Sequence, residues 1–217
     1  MSKSYFVIGT DTNVGKTYIA SGLVQHFVQA GYTTLGMKPI ASGCETNQQG
    51  ELLNEDVNNL RNASNVQAPL DLINPYRFLP PIAPHLAAEQ IGVKMQLDII
   101  KKAYVKLTAI AEVVIVEGAG GFFVPINATE TLADLASTLN IPIILVVGMR
   151  LGCINHALLT AEAINARGLT LAGWVANQID ENMSMFDENL MSLKQRILAP
   201  CLSVVRWQGP VSFDEKL

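Results

Sequence analysis

The sequence predicts an α/β fold, a doubly wound and mainly parallel sheet with helices on both faces. Three observations predict it. Short apolar runs alternate with helix-period segments along the whole chain. The run Val113, Val114, Ile115, Val116 is unbroken and β-branched, which suits a strand buried on both faces. A Gly-rich loop containing Gly15-Lys16-Thr17 sits between the first apolar run and the first helical segment.

The elements follow in order. Residues 5–8 read as a buried strand that stops at Gly9. The spacing predicts a helix over 15–30, closed by Gly31, and a second strand over 34–38, ended by Pro39. Residues 43–54 are polar and contain Gly, so they read as a flexible loop, and 55–61 as a short helix. Residues 74–84 are Pro-rich and read as irregular, followed by helices over 85–90 and 95–111. The strand 113–116 comes next, then a helix over 132–139 and a buried strand over 143–147. A helix over 154–166 ends at Gly168. The last three elements are a strand over 171–177, a helix over 185–198 and a short strand over 202–205. No repeat, low-complexity stretch or linker interrupts this alternation, so one domain over 1–217 is expected.

Composition narrows the function. Hydrophobic residues make up 49% of the 217 and charged residues 16%, the balance of a globular chain. A net charge of −4 argues against nucleic acid as the main partner, because phosphate backbones select basic surfaces. Cys44, Cys153 and Cys201 match no metal spacing and read as reduced thiols. The first residues lack a signal-peptide layout. The longest apolar stretch, 141–148, contains Pro142 and is too short to span a bilayer. These features predict a cytoplasmic protein with no membrane partner.

The chemistry begins at Gly9-Thr10-Asp11-Thr12-Asn13-Val14-Gly15-Lys16-Thr17. Between a strand and a helix, such a loop turns its N–H groups toward one point and cradles an anion. Lys16 supplies a charge for β- and γ-phosphates, and Thr17 a hydroxyl for Mg²⁺. The usual pattern has Gly where Thr10 stands, and here Gly9 sits one residue earlier. Glu117 ends the 113–116 strand, at the sheet edge where ligands bind in such folds, and is a candidate Mg²⁺ ligand. Gly118, Ala119, Gly120 and Gly121 follow and let a phosphate or metal approach. Asp56 is a further candidate, although an acid at a helix start also serves as a cap.

Five segments in one order resemble the dethiobiotin synthetase family. They are Gly9 to Thr17, Lys38-Pro39-Ile40-Ala41-Ser42-Gly43, Val116-Glu117-Gly118-Ala119-Gly120-Gly121, Leu151-Gly152-Cys153-Ile154-Asn155-His156, and Gly173-Trp174-Val175-Ala176-Asn177. The resemblance implies a P-loop NTPase fold and a reaction of 7,8-diaminopelargonate, CO₂ and MgATP that gives dethiobiotin, ADP and phosphate. A carbamate would form on one amine and attack the γ-phosphorus. The second amine would then close the ring on a carbamic-phosphoric anhydride. The resemblance makes Lys16 and Lys38 the catalytic pair. It places ATP on Asn13, Val14, Gly15, Lys16, Thr17, Tyr18, Asp56, Glu117, Gly118, Ala119, Gly120, Asn177 and Gln178. It assigns Mg²⁺ to Thr17, Asp56 and Glu117, and the substrate to Thr12, Lys38 and Ser42. Gly152, Cys153, Ile154 and Asn155 would take the substrate carboxylate in a neighbouring subunit, so a homodimer with a shared site is implied. Two departures stand out. Asn13 replaces an acid found in some relatives, and Arg206 replaces a proline of the base-binding segment 204–207.

Two other classes share the fold. Regulatory ATPases of the partitioning type carry a signature lysine where Asp11 stands, and often an amphipathic tail, for which 212–217 is too short. Amide-forming ligases of the cobyrinic or cobyric acid type carry a glutaminase domain for which this chain is too short.

Overall fold

The computed structural model describes residues 3–214, and of the tail 212–217 the last three lie outside the described residues. In chain order the elements are β1 (Lys3–Gly9), α1 (Lys16–Gln29), β2 (Thr34–Met37), β3 (Ile40–Ser42), β4 (Glu45–Thr46) and β5 (Leu52–Leu53). Then come α2 (Glu55–Ala63), α3 (Leu70–Ile73), β6 (Tyr76–Phe78), α4 (Pro84–Gln90), α5 (Leu97–Thr108), β7 (Val113–Gly121) and α6 (Leu132–Leu139). The chain ends with β8 (Ile143–Met149), α7 (Cys153–Ala166), β9 (Leu171–Gln178), α8 (Phe186–Arg196) and β10 (Cys201–Val205).

Six strands form one sheet in the order β10-β9-β8-β1-β7-β2, and every pairing is parallel. The strand alternation explains why helices cover both faces. Phe6 and Ile8 point into one buried cluster, with residues of α5, α6, α7 and α8. Tyr5 and Val7 point into the other, with Ile19, Leu23, Val24 and Phe27 of α1. Neither face of a central strand can reach water, so the strands read as continuous apolar runs. The chain leaves β1 toward β2 on one side and later reaches β8 on the other. Ligands bind beyond the carboxyl ends of the strands beside such a reversal.

The structure changes three sequence-based expectations. Residues 43–54 hold a short antiparallel pair, β4 with β5. Asn47 closes it, its Oδ1 accepting from the N–H groups of Gln49 and Glu51 at 2.9 Å each. Residues 74–84 contain β6, which pairs in parallel with β3. Pro75 and the prolines after Leu79 mask a strand only three residues long. Glu117 does not end its strand, because β7 runs on to Gly121. Its register against β1 breaks there, since Val7 faces Glu117 and Gly9 faces Gly121. The longer β7 segment bulges between those pairs, as glycines allow.

Candidate functional site

The loop between β1 and α1 owes its shape to close packing. A Cβ on Gly9 would meet Val14 Cγ2 at 2.7 Å and the Asp11 carbonyl at 2.9 Å. That contact explains why glycine stands one residue earlier than the common pattern. Thr10, in the usual glycine position, ties the loop to β8, accepting from the Gly148 N–H at 3.4 Å through its hydroxyl. Asn13 sits at φ 58° and Gly15 at φ 83°. Asn is among the residues that tolerate the left-handed region, so Asn13 has a conformational role that the sequence reading missed. Asn177, on β9, braces the loop from below, its Nδ2 donating to the Val14 carbonyl at 2.9 Å.

Four charged side chains meet above this loop. Lys38 Nζ donates to Asp56 Oδ2 at 2.5 Å and to Glu117 Oε1 at 2.7 Å. The Thr17 hydroxyl donates to the same Glu117 oxygen at 2.8 Å. Lys16 Nζ donates to the Asp11 carbonyl at 2.8 Å. The groups come from four separate parts of the chain. Lys38 follows β2, Asp56 lies in the first turn of α2, Glu117 in β7, and Lys16 and Thr17 open α1. Asp56 is therefore not the cap of its helix. Asn54 is, its Oδ1 accepting from the N–H groups of Asp56 and Val57.

The two lysines differ electrically. Burial lowers Lys16 to about 8, with Glu117 opposing and Lys38 reinforcing that fall. Burial also pulls Lys38 down, but the Glu117 and Asp56 carboxylates outweigh it and hold the ammonium above its ordinary range. Burial would raise Asp56, yet Lys38 and the Thr17 hydroxyl bring it below the usual carboxylate value.

These groups open into a cleft of about 730 Å³, within the range of small-molecule sites. Thr12, Asn13, Gly15, Lys16, Thr17, Lys38, Ser42, Asp56, Glu117, Ala119 and Gly120 line it. Glu117 Oε2 and Ser42 Oγ are buried there without a hydrogen-bond partner. Oxygen donors of this kind suit a hard divalent cation. Among the described residues, no group of three or more His, Cys, Asp or Glu could hold a metal ion. A cation here would rely on two carboxylates, a hydroxyl and the oxygens of a ligand.

The cleft has a second wall that the sequence reading did not assign. Ile40, Pro81, Ile82, Ala83, Pro84 and Val124 give it an apolar side. The stretch read as irregular thus supplies an apolar surface to the cleft.

Several expected residues lie elsewhere. Tyr18 is half exposed and donates to the Gly209 carbonyl at 2.9 Å. Gln178 Nε2 donates to the Asp180 carbonyl, and its Oε1 accepts from the Trp207 N–H at 3.3 Å. Gly118 is buried in β7 against Phe6. Arg206 pairs with Asp187 at 2.6 Å and lies 4.1 Å from the Phe186 ring centre, so it serves the start of α8. Gly152, Cys153, Ile154 and Asn155 do not line the cleft. The Cys153 side chain is buried in the core and its N–H donates to the Arg150 carbonyl, while Leu151, Gly152 and Asn155 face outward. All three cysteines are free.

A family model described as "AAA domain" matches residues 3–214. The chain is similar to the ATP-dependent dethiobiotin synthetase BioD of Aromatoleum aromaticum, 54% identical over 94% of this chain and 90% of that one. It is similar to the protein of the same name from Nitrosospira multiformis, 49% identical over 94% and 88%. The one from Pseudomonas aeruginosa is 49% identical over 93% and 89%. Among solved structures, the septum site-determining protein MinD of Pyrococcus horikoshii matches with a TM-score of 0.59 over 95% of this chain and 82% of that one. The signal recognition particle receptor FtsY of Elizabethkingia anophelis matches at 0.55 over 99% and 63%. At 13% and 14% identity these two likenesses speak for the P-loop fold alone.

Proposed function

This chain belongs to the ATP-dependent dethiobiotin synthetases, and from that premise we propose how its own residues carry the reaction. The enzyme is a cyclo-ligase that uses ATP to make dethiobiotin. The observation that carries the residue assignment is the position of Lys38. Its ammonium stands beside Lys16, pinned by Asp56 and Glu117, in a cleft with one apolar wall.

The substrate, 7,8-diaminopelargonate, joins two amines to an aliphatic chain. The chain packs on Ile40, Pro81, Ile82 and Val124. The amines and the carbamate formed from CO₂ lie toward Thr12, Ser42 and Lys38. The unpartnered Ser42 hydroxyl accepts from an amine N–H or donates to a carbamate oxygen. Lys16 and the loop N–H groups of Asn13 to Thr17 hold the β- and γ-phosphates. The transferring phosphoryl group and the carbamate are both anionic, so positioning and charge stabilisation do most of the work. Lys38 lies between the two anions and offsets their repulsion. A carbamate oxygen attacks the γ-phosphorus and ADP leaves. The second amine then attacks the anhydride carbon, the ring closes, and phosphate departs with that oxygen. Mg²⁺, held by Thr17, Asp56 and Glu117, would neutralise phosphate oxygens in this step.

Asn177 and Gln178 sit at the end of β9, where the nucleotide base would lie. The outward-facing Gly152 and Asn155 at the start of α7 would bind the carboxylate tail of substrate held in a second copy, making a homodimer with shared sites. A single domain in the cytoplasm would carry the whole reaction.

Isotope transfer tests the chemistry. Turnover with ¹⁸O-labelled CO₂ should place one label in each phosphate released. Phosphate labelled only from solvent water would mean that water, and not the carbamate, attacks ATP.

A further inference from the structure

Lys38 follows an edge strand, and the sheet does not fix the backbone beyond it. Strand β2 pairs only with β7, and the pairing ends at Met37. From there a one-turn helix takes over. The Lys38 N–H donates to the Ile73 carbonyl at 3.0 Å. Its carbonyl accepts from Asn74 Nδ2 at 2.6 Å, and the same amide donates to the Tyr76 carbonyl at 3.2 Å. The Tyr76 N–H in turn donates to the Pro39 carbonyl at 3.0 Å. Pro39 has no N–H of its own, so the corner depends on groups that its neighbours supply.

Asn74 is fully buried. Two carbonyls consume the two hydrogens of its amide, which fixes the orientation of the group. Its Oδ1 is left buried without a partner. Such an orphan is costly and calls for an explanation. A hydrophobic residue would avoid that cost, but it would take away the side-chain donor of the Lys38 carbonyl and release the Lys38 backbone.

We propose that Asn74 is a positioning residue for the reaction, holding the backbone from which Lys38 reaches between Asp56 and Glu117. This inference rests on the catalytic reading of Lys38. It gives α3 and β6 a role beside packing, because the Lys38 N–H donates to the Ile73 carbonyl, the Tyr76 N–H to the Pro39 carbonyl, and the Asn74 amide between them to the Lys38 carbonyl. Misplacing a reacting group by an ångström costs about a hundredfold in rate, so a loose Lys38 should lower turnover far more than ATP binding.

The test is steady-state phosphate release by Asn74→Ala and Asn74→Asp, with folding followed by circular dichroism. Asn74→Ala should lose roughly ten- to a hundredfold in kcat with the KM for ATP changed by less than about threefold. Asn74→Asp adds a readout that mere loosening would not move. A protonated acid can donate to the Lys38 carbonyl, whereas a carboxylate cannot. Burial raises the pKa of that acid, so the kcat of the variant relative to the parent should recover as pH falls toward ~6. A folded Asn74→Ala with full kcat would overturn the proposal, as would an Asn74→Asp profile that is reduced in kcat yet parallel to the parent's. So would failure of both variants to fold, which would make Asn74 a folding residue only. Lys38→Ala separates the two levels. If it keeps full kcat, the reading of Lys38 itself falls. If it is inactive while Asn74→Ala is fully active, only the inference about Asn74 falls.

Discussion

Lys16 and Lys38 share one cleft, yet the chain builds their two halves by opposite means. The Lys16 half hangs from the central sheet. Its loop grows out of β1, tied through the Thr10 hydroxyl to Gly148 on β8 and braced by Asn177 on β9. The Lys38 half hangs from small parts, a three-residue strand pair and short helices joined through Asn54 and Asn74. The electrostatics divide the same way. Lys16 is buried with a carbonyl partner and falls to about 8, while two carboxylates hold Lys38 above its ordinary range. The lesson is a division of labour. The half proposed to bind phosphate is braced by the central sheet, and its lysine has no carboxylate partner within hydrogen-bond distance among the described residues. The substrate half carries a lysine whose charge is already secured.

The comparison can be broken from either side. Lys38→Ala should cost the most, roughly 100- to 1,000-fold in kcat, with the KM for ATP nearly unchanged. A matching loss in ATP affinity would erase the distinction between the halves. Gly15→Ala strikes the other half. A Cβ there would meet Asn177 Nδ2 at 2.2 Å, on a backbone at φ 83°. Strain of about 1–3 kcal/mol should weaken ATP binding by about 5- to 150-fold, read by titration with a fluorescent nucleotide.

The pH profile sharpens the contrast. In the free enzyme Lys16 loses its proton as pH rises through about 8. Because kcat/KM reports the free enzyme, kcat/KM for ATP should fall above that value. On the proposed reading, saturating ATP would place phosphates on Lys16 and keep it charged, and Lys38 stays charged throughout, so kcat should remain flat across the same window. A fall in kcat there would assign the titration to the wrong lysine.

Smaller effects lie at the margins. Asn54→Ala removes the cap of α2 and the link to the Ser42 carbonyl. It should cost about 1 kcal/mol, or ~2–4 °C in thermal midpoint, with kcat falling because Asp56 loosens. Arg206→Ala should do least. Its ion pair with Asp187 is half exposed, so ~1 kcal/mol or less is expected, with the KM for ATP unchanged. A large change in that KM would return Arg206 to the base site.

The Lys16 half was legible in the sequence because its signals are local. A strand, a Gly-Lys-Thr loop and a helix follow one another directly between Lys3 and Gln29, and the buried strands announce themselves by unbroken apolar runs. Thr17, Lys38, Asp56 and Glu117 were named from the chain and do meet in one cleft. What the sequence concealed is non-local. Strand β6 is three residues long beside prolines, and its partner lies 36 positions away, Ile40 opposite Tyr76. Periodicity cannot register so short an element. Asn74 entered the sequence reading only as the start of the irregular stretch 74–84, since nothing nearby reveals that its amide closes on the Lys38 carbonyl. The extension of β7 beyond Glu117 was hidden because glycines usually mark the end of a strand.

The most direct test follows phosphate release from MgATP and bicarbonate, with and without 7,8-diaminopelargonate. The account predicts release only when the diamine is present, because the carbamate is the group that attacks. Release at the same rate without the diamine would contradict it, and would show that the cleft passes the phosphoryl group to water.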